Sequence, residues 1–146
     1  DHVVIGFPLW WGAEPAQLKG LLDRVLLPGW AFRYHKHDQM WDRLLAGRSA
    51  DLFVTMDTPP WFLRLFWSDP VMKRWNKQIL EFAGFKPVRL FRIGPTRRGG
   101  AAKNFGKWAA RLEKAAASVG TLRRGSKDAA RALRTDHETA QAERAS

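Results

Sequence analysis

The sequence predicts an α/β protein, a parallel sheet with helices packed on both faces. Three observations lead there. Short apolar runs rich in β-branched residues recur at positions 3–7, 51–55 and 88–93, the pattern of strands in a parallel sheet. Between and after them lie stretches whose apolar residues are spaced three and four apart, the period of an amphipathic helix. The order is strand, helix, long loop, strand, helix, strand, helix. Strands alternating with helices in this way join through crossovers and lie parallel.

The first strand, Val3-Val4-Ile5-Gly6-Phe7, is continuous and apolar and ends at Pro8, so it reads as buried on both faces. Pro15 sits where a helix can start. Leu18, Leu21, Leu22, Val25 and Leu26 then give one apolar face, and Pro28-Gly29 closes the helix. Residues 30–48 are aromatic and polar without a clear period, an excursion over a site or an interface, with a helical turn expected around 40–45. The second strand, 51–55, is broken by Thr58-Pro59-Pro60, and residues 61–67 are strongly apolar around Arg64. Ser68-Asp69-Pro70 is a helix-start signal, an N-cap candidate followed by proline in the first turn. Val71, Trp75, Ile79 and Phe82 carry that helix to Gly84. The third strand, 88–93, alternates more than the others, as an edge strand does. Gly94-Pro95 and the basic turn Arg97-Arg98-Gly99-Gly100 follow. Phe105, Trp108, Ala109 and Leu112 then mark a helix over 101–118, closed by Gly120. Residues 1–120 are expected to be the folded part, and the polar residues 121–146 a mobile tail.

Composition narrows the function classes. The chain has 146 residues, 45% hydrophobic and 27% charged, which suits a globular domain. It has no cysteine, so disulfides, thiolate metal sites and a cysteine nucleophile are excluded. No apolar stretch is long enough to span a membrane and no signal sequence opens the chain, so a cytoplasmic protein is expected. The net charge is +11. Residues 121–146 hold six Arg or Lys and four Asp or Glu, so most of the excess belongs to the folded part. A basic field favours anionic partners without choosing among them. The cations form no stripe and no nucleic-acid-binding motif appears, so nucleic acid is not the expected partner. Eight tryptophans suggest a large core or a site for a flat ligand.

The strongest chemical signal lies between the first strand and the first helix: Phe7-Pro8-Leu9-Trp10-Trp11-Gly12, then Pro15-Ala16, Leu18-Lys19-Gly20 and Asp23-Arg24-Val25. Open α/β sheets bind ligands at the carboxyl ends of their strands. Proline fixes the turn, tryptophans offer flat surface, and the backbone N–H groups of such a turn can face the polar edge of a ring. One isolated tryptophan is more often core. Two adjacent ones do not easily both point into the same core.

These residues, with Gly29-Trp30-Ala31-Phe32-Arg33-Tyr34 at matching spacing, resemble the NAD(P)H dehydrogenase (quinone) family of flavodoxin-like fold. The resemblance continues more loosely through Phe82-Ala83-Gly84-Phe85 to about Leu112. It implies a doubly wound, flavodoxin-like parallel sheet, with FMN or FAD as cofactor and NAD(P)H as electron donor. It also implies a quinone or similar two-electron acceptor and a homodimer. By position, Pro8, Leu9, Trp10, Trp11 and Gly12 would lie along the flavin ring. Thr55, Met56, Asp57 and Thr58 would meet its edge, and Phe32 and Tyr34 would cover the quinone or nicotinamide across the dimer, or serve dimer packing alone. No catalytic residue is assigned.

Two departures from the family pattern matter. The second flavin loop lacks its glycines, and Pro59-Pro60 remove two donors. The first two strands and their Ser/Thr-rich phosphate loop have no counterpart in this sequence. The chain therefore reads as an N-terminally truncated part of the domain, expected to hold flavin poorly by itself. His35-Lys36-His37-Asp38 reads as polar loop rather than a metal site, and Arg97-Arg98-Gly99-Gly100 as a solvated turn before a phosphate site. The alternatives to an oxidoreductase are a non-catalytic flavodoxin-like dimerisation module and, further off, a polyanion-binding protein.

Overall fold

The structure is a computed structural model that describes residues 1–97 and 99–123. Arg98 of the basic turn and residues 124–146 of the expected tail lie outside the described residues.

Three parallel strands form the main sheet: β1 (His2–Pro8), β4 (Ser49–Thr55) and β5 (Val88–Ile93), with β4 in the centre. Pairing is in register along their lengths, and Pro8 lies opposite Thr55, which lies opposite Ile93. The carboxyl ends of all three strands therefore open on one edge. Strand β5 sits at the side of the sheet, as its alternation predicts.

Because strand side chains alternate, the register assigns two faces. One carries Val3, Ile5, Phe7, Leu52, Val54 and Leu90, all part of or packed on the main core. Helix α1 (Ala16–Val25) reaches that core through Leu18 and Leu22. Helix α2 (Pro60–Phe66) reaches it through Leu63. A helical run over 70–83 supplies Val71, Met72, Trp75 and Leu80, and Trp75 is fully buried, its ring 5.0 Å from that of Phe7.

The opposite face carries Asp51, Phe53, Arg89 and Phe91. Phe53 and Phe91 stack at 4.6 Å. Helix α5 (Gly100–Ala117) covers them, with Arg111 over the Phe91 ring and Arg89 donating to the carbonyl of Ala115. On this face of β1, His2 is largely covered beside Ser49 and Asp51, but the strand is open further along. Val4 is 63% exposed there, so the expectation of a strand buried on both faces fails for β1. It holds for β4, which has covered neighbours on either side.

Residues 30–48 depart from the sequence reading. Instead of a helical turn at 40–45, the segment forms a hairpin of β2 (Phe32–Tyr34) and β3 (Trp41–Arg43), paired antiparallel. The hairpin is held from outside: Trp41 stacks on Phe82 at 4.5 Å and donates its indole N–H to the Phe82 carbonyl at 2.9 Å. Leu44 and Leu45 then enter the core. A tertiary partner overrides a weak local helical pattern here.

The helix-start signal at residues 68–70 also has another role. Helix α3 (Pro70–Lys73) does begin there, but Asp69 makes no side-chain capping bond. Its backbone is left-handed, at φ 56°, and its carboxylate pairs with Arg92 of β5. From Arg74 to Leu80 the helix widens to π geometry before a last α turn, α4 (Glu81–Ala83). Gly84 ends it at φ 112°.

Candidate functional site

The loops that leave β1, β4 and β5 meet at the carboxyl edge of the sheet. The Leu9 N–H bonds the Thr55 carbonyl at 2.8 Å, the Met56 N–H bonds the Ile93 carbonyl at 2.9 Å, and the Thr96 N–H bonds the Met56 carbonyl at 3.1 Å. Gly94 allows this approach: a Cβ there would stand 2.5 Å from the Met56 carbonyl oxygen.

The loop after β1 is a tight turn. Trp10 and Ala13 exchange both backbone hydrogen bonds at 2.9 Å. Trp11 and Gly12 between them have φ of 49° and 78°, the positive values of a primed two-residue turn. Glycine adopts that conformation freely, whereas tryptophan is strained in it. The strained residue is also fully exposed, and Trp10 is 60% exposed. Strained non-glycine residues of this kind cluster at ligand sites. The backbone N–H groups of Trp11 and Gly12 make no hydrogen bond within the described residues. Neither do those of Asp57 and Thr58 in the neighbouring loop. Two flat indoles and open amides on adjacent loops fit the ring of a flavin and its polar edge.

The second candidate loop divides its work. Thr55 ends β4. Met56 is only 3% exposed and has both backbone groups committed to residues 93 and 96, so it anchors the loop from the core side. Asp57 is tied to the loop after β5: its carboxylate accepts from the Thr96 hydroxyl at 2.5 Å and pairs with Arg97 at 2.6 Å. Asp57 and Thr58 also line a cleft of about 930 Å³. Phe62 and Trp67 form its aromatic wall, and Arg97 and Lys103 its basic rim. None of Pro8, Leu9, Trp10, Trp11 or Gly12 lines that cleft.

Phe32 and Tyr34 stand apart from both loops. They meet edge to face at 5.2 Å on β2, and Phe32 packs on Phe82. Phe32 lines a separate hollow of about 370 Å³ with Arg74 and with Lys19 of α1. Tyr34 is 60% exposed. In the hairpin loop the His35 ring sits between two carboxylates, Asp38 at 2.9 Å and Asp42 at 3.1 Å. These two acids hold its pKa above the ordinary imidazole value, with the Asp42 hydrogen bond the larger cause.

One site residue is not visible in the sequence. Glu14, just before α1, has a side chain only 2% exposed. Its carboxylate accepts from the Arg74 guanidinium and from the Trp75 indole N–H at 3.1 Å. The nearest sequence signal is a lone acid between a turn and a proline. Its partners lie about sixty residues on.

Comparisons with known proteins agree with this architecture. The family described as Flavodoxin-like fold matches residues 1–117. A ribosyldihydronicotinamide dehydrogenase-like protein of Penicillium crustosum is 44% identical over 62 residues, 38% of this chain and 23% of its own length. An uncharacterised NAD(P)H oxidoreductase of Haemophilus influenzae is 38% identical over 56 residues, 38% of this chain and 27% of its own length. Among solved structures, the Smu.1420 protein of Streptococcus mutans superposes with TM-score 0.65 at 31% identity, over 75% of this chain and 58% of that one. A Klebsiella pneumoniae protein provisionally named a quinone reductase superposes with TM-score 0.62 at 27% identity, over 85% and 51%. The matches thus span about a quarter of the curated relatives and just over half of the solved chains. With a parallel sheet flanked by helices and a family match over most of its length, the chain belongs to the flavodoxin-like fold family.

Proposed function

We propose that this chain is part of a flavin-dependent NAD(P)H oxidoreductase that moves two electrons, as hydride, from NAD(P)H to a quinone or a similar acceptor. The observation that carries the reading is the Trp10–Ala13 turn: a strained, fully exposed Trp11 at a strand end, beside unused backbone donors. When bound, FMN or FAD supplies the hydride chemistry. The chain's own part is to seat the ring along Pro8, Leu9, Trp10, Trp11 and Gly12. Thr55, Asp57 and Thr58 face the ring edge from the next loop. Amide donors placed there stabilise negative charge on a reduced ring. The names of the relatives, an NAD(P)H oxidoreductase and a quinone reductase among them, support the same reaction class.

The reading includes a homodimer. Helix α1 contributes no fully buried residue, and Leu21, Val25, Leu27 and Trp30 are each at least 41% exposed. An apolar face of that extent is expected to meet a second copy, which would carry Phe32 and Tyr34 toward the partner's ligand. Among the described residues no helix is long and apolar enough to cross a membrane.

The test is the absorbance spectrum of the purified full-length protein after addition of FMN or FAD. A bound flavin bleached by NAD(P)H and recoloured by a quinone is the expected result. A colourless dimer that takes up neither flavin would overturn the reading in favour of a flavodoxin-like module without chemistry, to which the donor-poor Pro59-Pro60 segment also points.

A further inference from the structure

Glu14 directly follows the Trp10–Ala13 turn. Its carboxylate is removed from solvent and meets two consecutive residues, Arg74 and Trp75, at the start of the π-helical segment. Widening a helix reduces the angle between neighbouring side chains, which lets both reach one acceptor. Such segments recur at functional positions. The anchor is rigid, since Trp75 is fully buried and packs on Phe7 of β1.

The pair is buried on the Glu14 side and 34% exposed on the Arg74 side, and a carboxylate taken out of water is a poor device for stability alone. Two donors converging on its one oxygen Oε2 fix its geometry. The turn it adjoins needs fixing. Its N-terminal side is pinned where the Leu9 N–H meets the Thr55 carbonyl, and its C-terminal side runs directly into Glu14. Between these points Trp11 is held at φ 49°, a conformation that persists only where the surroundings over-determine it.

We propose that Glu14 is a positioning residue: through Arg74 and Trp75 it locks the Trp10–Ala13 turn in the conformation that receives the flat ring. The ligand part of this inference rests on the flavin reading above. The lock itself does not.

Two measurements on the purified full-length protein test it: hydrogen exchange at individual amides, and FMN affinity from fluorescence. Glu14→Ala is expected to speed exchange at Trp10 and Ala13 by about tenfold or more, while Leu52 and Val54 in β4 stay within about twofold. FMN affinity falls by about tenfold. Glu14→Gln keeps an acceptor for both donors and restores both quantities to within about threefold of the parent. Unchanged exchange at Trp10 and Ala13 overturns the proposal. So does acceleration spread equally through β4, which would make Glu14 a general stabiliser. A parent protein that binds neither FMN nor FAD overturns the flavin reading, and the exchange rates still decide the lock on the same terms.

Discussion

Arg89 of β5 grips Asp51 of β4 with both arms: Nε lies 2.6 Å from one carboxylate oxygen and Nη2 lies 2.6 Å from the other. Asp51 is buried, and Arg89 reaches on to the Ser118 hydroxyl and the Ala115 carbonyl at the end of α5. The carboxylate holds the guanidinium pKa above its ordinary value, so Arg89 keeps its charge. Arg89→Ala would leave the buried Asp51 carboxylate with only the His2 imidazole, at 3.2 Å, beside it and cut the link between sheet and helix. The expected loss is about 3 kcal/mol or more in urea unfolding. A loss under roughly 1 kcal/mol would mean that the pair behaves as a solvent-screened surface contact.

Asp69 offers a cleaner separation of two roles. Serine is as good an N-cap as aspartate but cannot form the ion pair with Arg92. If capping were its role, Asp69→Ser would be neutral. The observed pairing, with no capping bond, predicts a loss of about 2 kcal/mol in chemical denaturation, because Arg92 loses its charged partner.

Trp11→Gly should separate stability from function. Glycine adopts a positive φ without strain and the tryptophan side chain is fully exposed, so stability should rise by about 1 kcal/mol. Flavin affinity should drop, because half of the flat surface is gone. A variant that is both less stable and unaffected in flavin titration would show that Trp11 is a structural residue.

Gly94→Ala tests the junction between the loops after β4 and β5. The added Cβ would fall 2.5 Å from the Met56 carbonyl oxygen and 2.7 Å from its Cγ. Neither neighbour has room to yield, since Met56 is buried and its backbone groups are bonded. A loss of about 1–3 kcal/mol is expected, readable as a lowered melting temperature.

The hairpin should respond to pH through His35. Its pKa is raised because the ring lies between Asp42 and Asp38, so the folded hairpin favours the charged imidazole. That contribution is complete below about pH 6.5, the ordinary imidazole value, and is lost as pH rises through the raised folded value. Asp38 works in the opposite direction. Its pKa is lowered, first by the Met40 N–H and then by His35, so its contribution fades as pH falls through that lowered value. An NMR titration should place the His35 midpoint above the ordinary imidazole value, and Asp42→Asn should bring it down. A His35 midpoint unmoved by Asp42→Asn would contradict the clamp.

What the sequence determined by itself was local. The runs at 3–7, 51–55 and 88–93 all lie in the three strands of the sheet, and the helices start and stop near their proline and glycine signals. The Pro8–Gly12 segment falls at a strand's carboxyl end, as its position before an amphipathic helix implies. Each of these features depends on residues a few positions apart, within which side-chain period and backbone preference are written directly. The tertiary structure alone decided the β2–β3 hairpin, because Trp41 takes its partner from Phe82 at the far end of another helix. It also turned Asp69 from a cap into half of an ion pair spanning 23 residues, and gave Glu14, next to the turn, a partner 61 residues away. No local pattern marks such pairs, because a charged side chain acquires its role only when folding removes water and brings its counterpart within reach.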